Sequence, residues 1–282
     1  MSVATLGQLL ADAARQLSIV SDTPRLDAEV LLAAALGRGR SHLHAWPERV
    51  PEPEQAARFA AWLERRLSGE PVAYLLGRRE FWSLDLEVTP DTLIPRPETE
   101  LLVELALARL PAGRSLAVAD LGTGSGAIAL ALAKERPHAR IVATDRSPAA
   151  LAVARSNAVR LDLANVEFRE GDWCAPLAGE RFAAIASNPP YVAADDPRWR
   201  AGALRFEPPD ALVAGADGLA AIRAIVVQTP DCLSPGGWLL LEHGHDQGEA
   251  VPALLRDRGF VAVSDHRDAA GLSRTSCGRW PG

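Results

Sequence analysis

Residues 116–134 constrain the fold most. A short apolar run, Leu116-Ala-Val-Ala-Asp120, ends in a carboxylate. Leu121-Gly122-Thr123-Gly124-Ser125-Gly126 follows, and Ala127 to Lys134 then reads as a helix. Strand, glycine loop and helix in that order bind a nucleoside cofactor at the carboxyl end of a parallel sheet. Glycines let the backbone approach a ligand with no Cβ in the way. The spacing Gly-x-Gly-x-Gly departs from the dinucleotide fingerprint Gly-x-Gly-x-x-Gly, and no Lys-Ser/Thr follows it to make a P-loop.

Two further strand ends extend this reading. The run Arg140 to Thr144 ends in Asp145, nineteen residues past Gly126. An acid so placed accepts hydrogen bonds from both ribose hydroxyls. The run Val166 to Phe168 precedes Asp172-Trp173. Such a pair suits an adenine, the carboxylate accepting from the exocyclic amine and the indole covering a ring face.

A fourth strand, Phe182 to Ala186, leads into Asn188-Pro189-Pro190-Tyr191. An amide nitrogen is a poor nucleophile because its lone pair is delocalised. An enzyme that alkylates one must grip its two hydrogens and aim the lone pair. The Asn188 side-chain oxygen and the Pro189 carbonyl supply two acceptors. The paired prolines stiffen the loop, and Tyr191 gives an apolar wall with a polar tip. Asn-Pro-Pro after a strand is also an ordinary turn. The order of all four features favours the chemical reading.

At these residues the chain resembles a class I S-adenosylmethionine-dependent methyltransferase of the amino-methylating branch. Phe81-Trp82-Ser-Leu-Asp-Leu-Glu-Val-Thr-Pro90, Leu93-Ile-Pro-Arg-Pro-Glu-Thr-Glu100, Arg205-Phe-Glu-Pro208 and Leu239-Leu-Leu-Glu-His-Gly244 narrow it further. They resemble the release-factor glutamine methyltransferase family of the bacterial HemK/PrmC type, over essentially the whole chain. The resemblance implies an α/β fold: a Rossmann-like methyltransferase sheet with a small N-terminal helical bundle joined by a β-hairpin. It implies N5-methylation of the glutamine in the Gly-Gly-Gln motif of class-1 peptide-chain release factors. Gly122, Thr123, Gly124, Ser125, Gly126, Asp145, Asp172 and Trp173 would then contact S-adenosylmethionine, with Asn188 beside it. Asn188, Pro189, Pro190 and Tyr191 would hold the glutamine amide. Asn188, Pro189 and Tyr191 would carry catalysis. The C-terminal run Arg274-Thr-Ser-Cys-Gly-Arg-Trp280 departs from the pattern, with small residues where β-branched ones are expected.

Two other substrates fit part of the pattern. A nucleic-acid adenine-N6 methyltransferase uses the same tetrapeptide. The net charge of −6 and the lack of a long basic, aromatic-interleaved segment oppose it, so no direct nucleic-acid substrate is expected. A ribosomal-protein glutamine methyltransferase is expected to differ in the Pro-Arg-Pro-Glu-Thr-Glu segment.

With 282 residues, the chain suits one large and one small domain. From about Thr5 to Leu76 the periodicity is helical. Leu6, Leu9, Leu10, Ala13, Ala14 and Leu17 share a face. Pro24 opens a second helix with Leu26, Val30, Leu31 and Ala34 inward and Gly37 ending it. A third runs from about Pro53 to Leu67, with Phe59, Leu63 and Leu67 along one side and Gly69 as its stop. The expected division is 1–76 helical and substrate-recognising, 77–97 a β-hairpin linker, and 98–282 the methyltransferase domain. Glu98 to Leu110 opens the last with a helix. Ser234-Pro-Gly-Gly237 reads as a turn before a buried strand, Trp238 to Glu242.

The remaining features point to a cytoplasmic enzyme. No continuous apolar stretch of ~18 residues occurs, so no membrane span is expected. Met1-Ser-Val-Ala-Thr-Leu-Gly lacks a basic start followed by an apolar core, so no signal peptide is expected. Cys174, Cys232 and Cys277 form neither a disulfide framework nor a zinc site. His243 and His245, on one face of a strand end, lack a third ligand at a usual spacing, so no metal is expected. His42 and His44 carry no catalytic argument. Arg96 is either a structural clamp or a contact to substrate or cofactor. Arg205 to Pro208 either closes over the site or merely connects. Glu98 and Glu100 are first-turn acids favoured by the helix dipole.

Overall fold

A computed structural model describes residues Ala4 to Gly282. The first three residues of the stretch weighed above for a leader lie outside the described residues. The chain divides into two units, Met1–Arg78 with Arg200–Phe206, and Arg79–Trp199 with Glu207–Gly282.

The first unit is helical. Its elements are α1 (Leu6–Leu17), α2 (Pro24–Leu36), α3 (Arg40–Ala45), α4 (Pro53–Leu67) and α5 (Val72–Leu76). Thr5 and Gln8 form a reciprocal capping box that starts α1, worth about 1 kcal/mol. Leu6, Leu10, Ala13 and Leu17 are buried from α1, as its period requires. The inward face of α2 differs from the expectation. Leu26 is exposed, and Val30 and Ala34 are only half-buried, while Ala28, Leu31, Leu32 and Ala35 are buried. This helix is apolar almost all round, so spacing alone does not orient it. Of its two buried acids, Asp27 and Glu29, Asp27 supplies a constraint from a distant helix. Asp27 accepts from Arg66 Nε of α4 at 2.8 Å and from the Ser21 hydroxyl at 2.8 Å. A buried carboxylate must be paired, so this pair fixes the rotation of α2. Helix α3, around His42 and His44, has no counterpart in the sequence reading.

A two-stranded hairpin follows, β1 (Arg78–Phe81) and β2 (Leu84–Glu87). Trp82 and Ser83 both take positive φ at its turn, which matches the twist of a tight hairpin.

The second unit continues with α6 (Glu100–Arg109), β3 (Ala117–Leu121), α7 (Ala127–Glu135), β4 (Arg140–Asp145), α8 (Pro148–Arg160), β5 (Val166–Glu170), β6 (Phe182–Ser187), α9 (Ala220–Gln228), β7 (Leu233–Glu242), α10 (Ala250–Asp257), β8 (Val261–Arg267) and β9 (Ser273–Arg279). Seven strands form one sheet in the order β5-β4-β3-β6-β7-β9-β8. The first five are parallel, and β9 runs antiparallel to both β7 and β8. Alternation along the strands builds two cores. Val118, Ile141, Ala184 and Leu240 pack with α6 and α7, whereas Ala119, Val142, Ile185 and Leu239 pack with α9 and α10. Both faces of the parallel strands are covered, which explains their unbroken apolar runs.

Two local departures have packing causes. Ser234 to Gly237 is the irregular start of β7, not a turn ahead of it. The register jumps between Leu233 and Trp238, and Gly236 takes φ +81°. The small residues of β9 are required by its neighbours. A Cβ on Gly278 would sit 3.1 Å from the Cβ of Phe260, and Thr275, Ser276 and Cys277 are fully buried.

The chain builds β3, β4 and β5 outward in one direction, then crosses back to β6 and β7. The strand order therefore reverses between β3 and β6. Crevices at such reversals, at the strands' carboxyl ends, are where open α/β sheets bind ligands.

Candidate active site

Both informative loops leave the sheet at this reversal. Leu121 of β3 pairs with Ser187 of β6, and the Ser187 hydroxyl donates to the Leu121 carbonyl at 2.7 Å. The next residues on the two strands are Gly122 and Asn188. A cleft of about 580 Å³ opens there, a size typical of small-molecule sites. Gly122, Thr123, Gly124, Ser125, Asp145, Asp172, Trp173, Asn188 and Pro190 all line it. Gly126, Pro189 and Tyr191 do not.

The glycine loop is set by backbone chemistry. Gly122, Gly124 and Gly126 all have positive φ, which β-carbons resist. The amides of Gly122 and Thr123 both donate to the Thr144 carbonyl, at 2.8 and 2.9 Å. A Cβ on Gly126 would meet Leu130 Cδ1 at 3.0 Å, so this glycine serves the closeness of loop and helix. At Gly124 a Cβ would face open space, on the cleft side.

Asp145 ends β4 with its carboxylate at the cleft. One oxygen accepts from the Gly124 amide and the other from Ser147, each at 2.9 Å. Each oxygen keeps a lone pair for a further donor. Trp173 has φ +47°, costly for a bulky residue. Its carbonyl accepts from Thr144 Oγ1 at 3.1 Å, and Gln228 Oε1 takes the next amide, of Cys174, at 3.2 Å. A Cβ on Gly122 would touch the indole at 3.4 Å, so the ring lies beside the loop.

Behind the loop, Asp120 is fully buried. Its Oδ2 accepts from the Thr123 hydroxyl at 2.6 Å and from the Ala129 amide at 3.2 Å. Oδ1 has no partner among the described residues. Burial pushes this carboxyl up to about 7, opposed by those two donors, and the neighbouring charge of Asp145 adds to the rise.

The Asn188 side is built from side chains of three segments. Asn188 Nδ2 donates to the Thr99 hydroxyl at 3.2 Å. Tyr191 lies behind Asn188, its hydroxyl 3.4 Å from Glu242 Oε1 at the end of β7. Burial raises the Tyr191 phenol, and the charge of Glu242 adds to that. Glu242 itself is fully buried, which pushes its carboxyl up to about 7 against the hydroxyls of Thr99 and Tyr191 and the charge of Arg274. The Tyr191 carbonyl accepts from Gln247 Nε2 at 3.1 Å. Gly218, at φ +73°, approaches so closely that a Cβ would sit 2.3 Å from that carbonyl oxygen.

The ambiguous residues now have places. Arg96 is a clamp: its Nη2 donates to Glu207 Oε1, and the Ile94 amide donates to the other carboxylate oxygen at 3.1 Å. Glu207 is buried. Pro90, Asp91, Thr92, Leu93 and Pro95 thereby form one wall of the cleft, with Pro208 and Asp210 opposite in the chain. Arg205 belongs to the helical unit, where it donates to the Ser68 carbonyl. His243 and His245 do not share a face. Strand β7 stops at Glu242, so His245 is exposed while His243 is buried, 2.8 Å from Ser276 Oγ and 3.2 Å from Asp265 Oδ1. Burial lowers its basicity. Cys174 and Cys232, remote in sequence, are both buried, and the neighbouring Cys232 together with burial pushes the Cys174 thiol up. Sequence reasoning missed Thr99, Glu242, Arg146 and Asp210 as parts of the site. Thr99 and Glu242 stand inside the segments that carried the resemblance, while Arg146 follows Asp145 directly.

Comparisons with known proteins agree with this geometry. Residues 8–77 match the PrmC N-terminal domain, and residues 98–203 match the methyltransferase small domain. The release factor glutamine methyltransferase of Coxiella burnetii (strain RSA 493 / Nine Mile phase I) is 51% identical over 265 residues, covering 94% of this chain and 95% of that protein. That of Pseudomonas aeruginosa is 55% identical over 260 residues, covering 92% and 94%. Among solved structures, a methyltransferase from Pyrococcus furiosus has a TM-score of 0.54 at 20% identity, over 79% of this chain and 99% of that one, and shares its fold. The chain belongs to the release factor glutamine methyltransferase family.

Proposed function

We propose that this member of the family transfers the methyl group of S-adenosylmethionine to a glutamine side-chain amide nitrogen, in the Gly-Gly-Gln motif of class-1 peptide-chain release factors. The observation that carries this reading is the juxtaposition of Gly122 and Asn188 on paired strands at the reversal of the sheet. A loop that receives a nucleoside cofactor and a residue that grips an amide thereby open into one cleft.

The residues present fit the cofactor. Gly124 leaves open space where a side chain would intrude, Asp145 has lone pairs for ribose hydroxyls, and Asp172 and Trp173 line the same cleft. When bound, S-adenosylmethionine supplies a methyl group made electrophilic by its sulfonium. The chain's own residues do the rest by alignment, worth as much as ~7–11 kcal/mol in favourable cases. Asn188 Oδ1 and the Pro189 carbonyl accept the two amide hydrogens, which weakens amide resonance and turns the nitrogen lone pair toward the methyl donor. Pro190 walls the amide plane from the cleft, and Tyr191, its hydroxyl against Glu242, holds the loop. Alkylation acidifies the nitrogen, so its extra proton leaves without a dedicated strong base.

Residues 1–76 are proposed to recognise the release factor and to do no chemistry, 77–97 to link, and 98–282 to carry catalysis. The glycine loop, Asp145, Asp172, Trp173 and the tetrapeptide all lie in the last of these, and Pro90 to Pro95 of the linker add a wall to the same cleft. No helix among the described residues is long and apolar enough to cross a membrane. The cytoplasm, where translation terminates, is the proposed location.

Incubation with labelled S-adenosylmethionine and three candidates tests the reading: a release factor, ribosomal proteins and duplex DNA. Label is expected on the release factor alone, on its Gly-Gly-Gln glutamine by mass spectrometry. Label on ribosomal protein or on adenine, with none on the release factor, overturns it.

A further inference from the structure

One buried side chain outside the cleft lining holds the far end of the tetrapeptide. Strand β7 ends at Glu242, and a single 3-10 turn, His245–Gln247, follows it. The Gln247 side chain is buried and bridges three segments. Its Oε1 accepts from the Gly244 amide at 3.0 Å. Its Nε2 donates to the Tyr191 carbonyl at 3.1 Å and to the Asp217 carbonyl at 3.5 Å. Main-chain partners leave no choice of orientation. A backbone N–H can only donate and a carbonyl can only accept, so the oxygen must face Gly244 and the NH2 must face Tyr191. Gly218 makes room for this bond. A Cβ there would sit 2.3 Å from the Tyr191 carbonyl oxygen and 2.9 Å from Gln247 Nε2.

The loop from Asn188 to Tyr191 has little freedom of its own. Upstream, Ser187 is held in the sheet and bonded to Leu121. The rings of Pro189 and Pro190 fix two φ angles, and each proline also restricts the residue before it. Tyr191 is the first residue of the loop that no proline constrains. A shift of its carbonyl is therefore passed back to the Pro189 carbonyl and to Asn188, because the prolines between absorb little of it. Beyond Tyr191, Val192 pairs with the main chain of Leu212 and Ala214, which is another loop. Gln247 instead ties Tyr191 to the end of a core strand, by a shorter bond than the 3.4 Å contact of the Tyr191 hydroxyl with Glu242.

We infer that Gln247 is a positioning residue for the methyl transfer: by holding the Tyr191 carbonyl it fixes where the Asn188 oxygen and the Pro189 carbonyl stand for the substrate amide. The inference rests on the proposed amide methylation and adds a residue that does not touch substrate.

The test is methyl transfer to release factor by wild type, Gln247→Leu and Gln247→Glu, with Gln247→Leu also made in an Asn188→Ala background. Cofactor Kd and melting temperature are measured for all of them, and rates are taken well below the lowest melting temperature. Wild-type activity is the control for the underlying reading, and its absence would fail that reading by itself. With an active wild type, Gln247→Leu is expected to lower kcat about tenfold, the scale of one lost buried hydrogen bond. KM for the release factor and the cofactor Kd should stay within about twofold, since the lost interaction serves the transition state and not binding. Gln247→Glu keeps the oxygen that Gly244 uses. Toward Tyr191 it can donate only as the neutral acid, so its kcat relative to wild type should fall as pH rises from 6 to 9. In the Asn188→Ala background the cost of Gln247→Leu should shrink below about threefold, because residues that act through one another are not additive. Normal kcat in Gln247→Leu would overturn the inference, as would a loss undiminished without Asn188 or one matched by an equal loss of cofactor affinity. If Gln247→Leu fails to fold, the isosteric Gln247→Glu decides, and a rate relative to wild type that is flat from pH 6 to 9 overturns the inference.

Discussion

Around Gly122 the cleft is lined by main-chain amides, with one carboxylate fixed by two of them. Around Asn188 it is held by groups brought in from Thr99, the end of β7 and the loop of Gly218. The first rim is local: β3, its loop, α7 and β4 are consecutive, and their hydrogen bonds close within that unit. The second is assembled across the chain, through Asn188 to Thr99, Tyr191 to Glu242 and Tyr191 to Gln247. The difference teaches where sensitivity should lie. A backbone-built rim tolerates most side-chain changes and fails at glycines. A rim built from side chains should fail at each link.

The largest effect expected from this contrast is at Asn188. Asn188→Ala removes a preorganised acceptor and should lower turnover by ~10²–10³-fold, with the cofactor Kd nearly unchanged. Asn188→Asp sharpens the comparison. It keeps an acceptor oxygen but loses the NH2 that Thr99 anchors, so it should be nearly as poor as Ala. Near-normal turnover of Asn188→Ala would break the comparison and return the tetrapeptide to an ordinary turn.

At the other rim, Asp145→Ala should weaken S-adenosylmethionine binding by roughly 10–100-fold, the range for charged hydrogen bonds. It removes the proposed ribose acceptor and the acceptor that holds the Gly124 amide at 2.9 Å. Calorimetry with an unchanged Kd would remove Asp145 from the site. Gly218→Ala should unsettle the Asn188 rim from outside the cleft. Its Cβ would collide with the Tyr191 carbonyl at 2.3 Å, and the loop must shift to relieve that. We expect a several-fold loss of kcat at constant cofactor affinity, measured in the same assay.

The sequence showed the two rims unequally for the same reason. The glycine loop, Asp145 and Trp173 could be located because two successive βαβ units, β3-α7-β4 and β4-α8-β5, place them at consecutive strand ends, and their spacing follows from helix and strand lengths. Asn188 could be located because the tetrapeptide is its own signature. Thr99 and Glu242 could not be joined by reading, since no periodicity links the first turn before α6 to the end of β7. They meet the same tetrapeptide, Thr99 at Asn188 and Glu242 at Tyr191, only once β6 and β7 pair and α6 packs across them. The same limit explains α2. Its apolar residues surround the helix, and its buried acids, Asp27 paired with Arg66 across distant residues and Glu29 paired with Arg25 and Arg40, accompany a rotation in which Leu26 faces out. Where one face of an element was polar, as in α1, the stripe was read more closely: Leu6, Leu10, Ala13 and Leu17 are buried, and Leu9 and Ala14 half-buried beside them.

The smallest effect concerns protons, and it runs in opposite directions for stability and rate. Burial holds Glu242 up at about 7, with Glu98 adding to the rise and Arg274, Thr99 and Tyr191 opposing it. Its value in the unfolded chain is the ordinary one near 4.3. Between these values the unfolded chain has already lost the proton and the folded one has kept it, so stability falls as pH rises across that window. Glu242→Gln has no such term. Its melting temperature should therefore gain on wild type from pH 5 to pH 7 and stop gaining above. The Tyr191 hydroxyl, 3.4 Å from Glu242 Oε1, is held more firmly by the carboxylate than by the neutral acid, so wild-type kcat should rise over pH 6 to 8, by less than about tenfold, while the Glu242→Gln rate stays flat. Because Asp120 is also held at about 7 by burial, Asp120→Asn is the companion control. It should flatten part of the stability profile and leave the pH dependence of kcat in place. A wild-type rate that does not change between pH 6 and 8 would detach Glu242 from the chemistry. Loss of the pH dependence in Asp120→Asn would move it from the Asn188 rim to the glycine-loop rim.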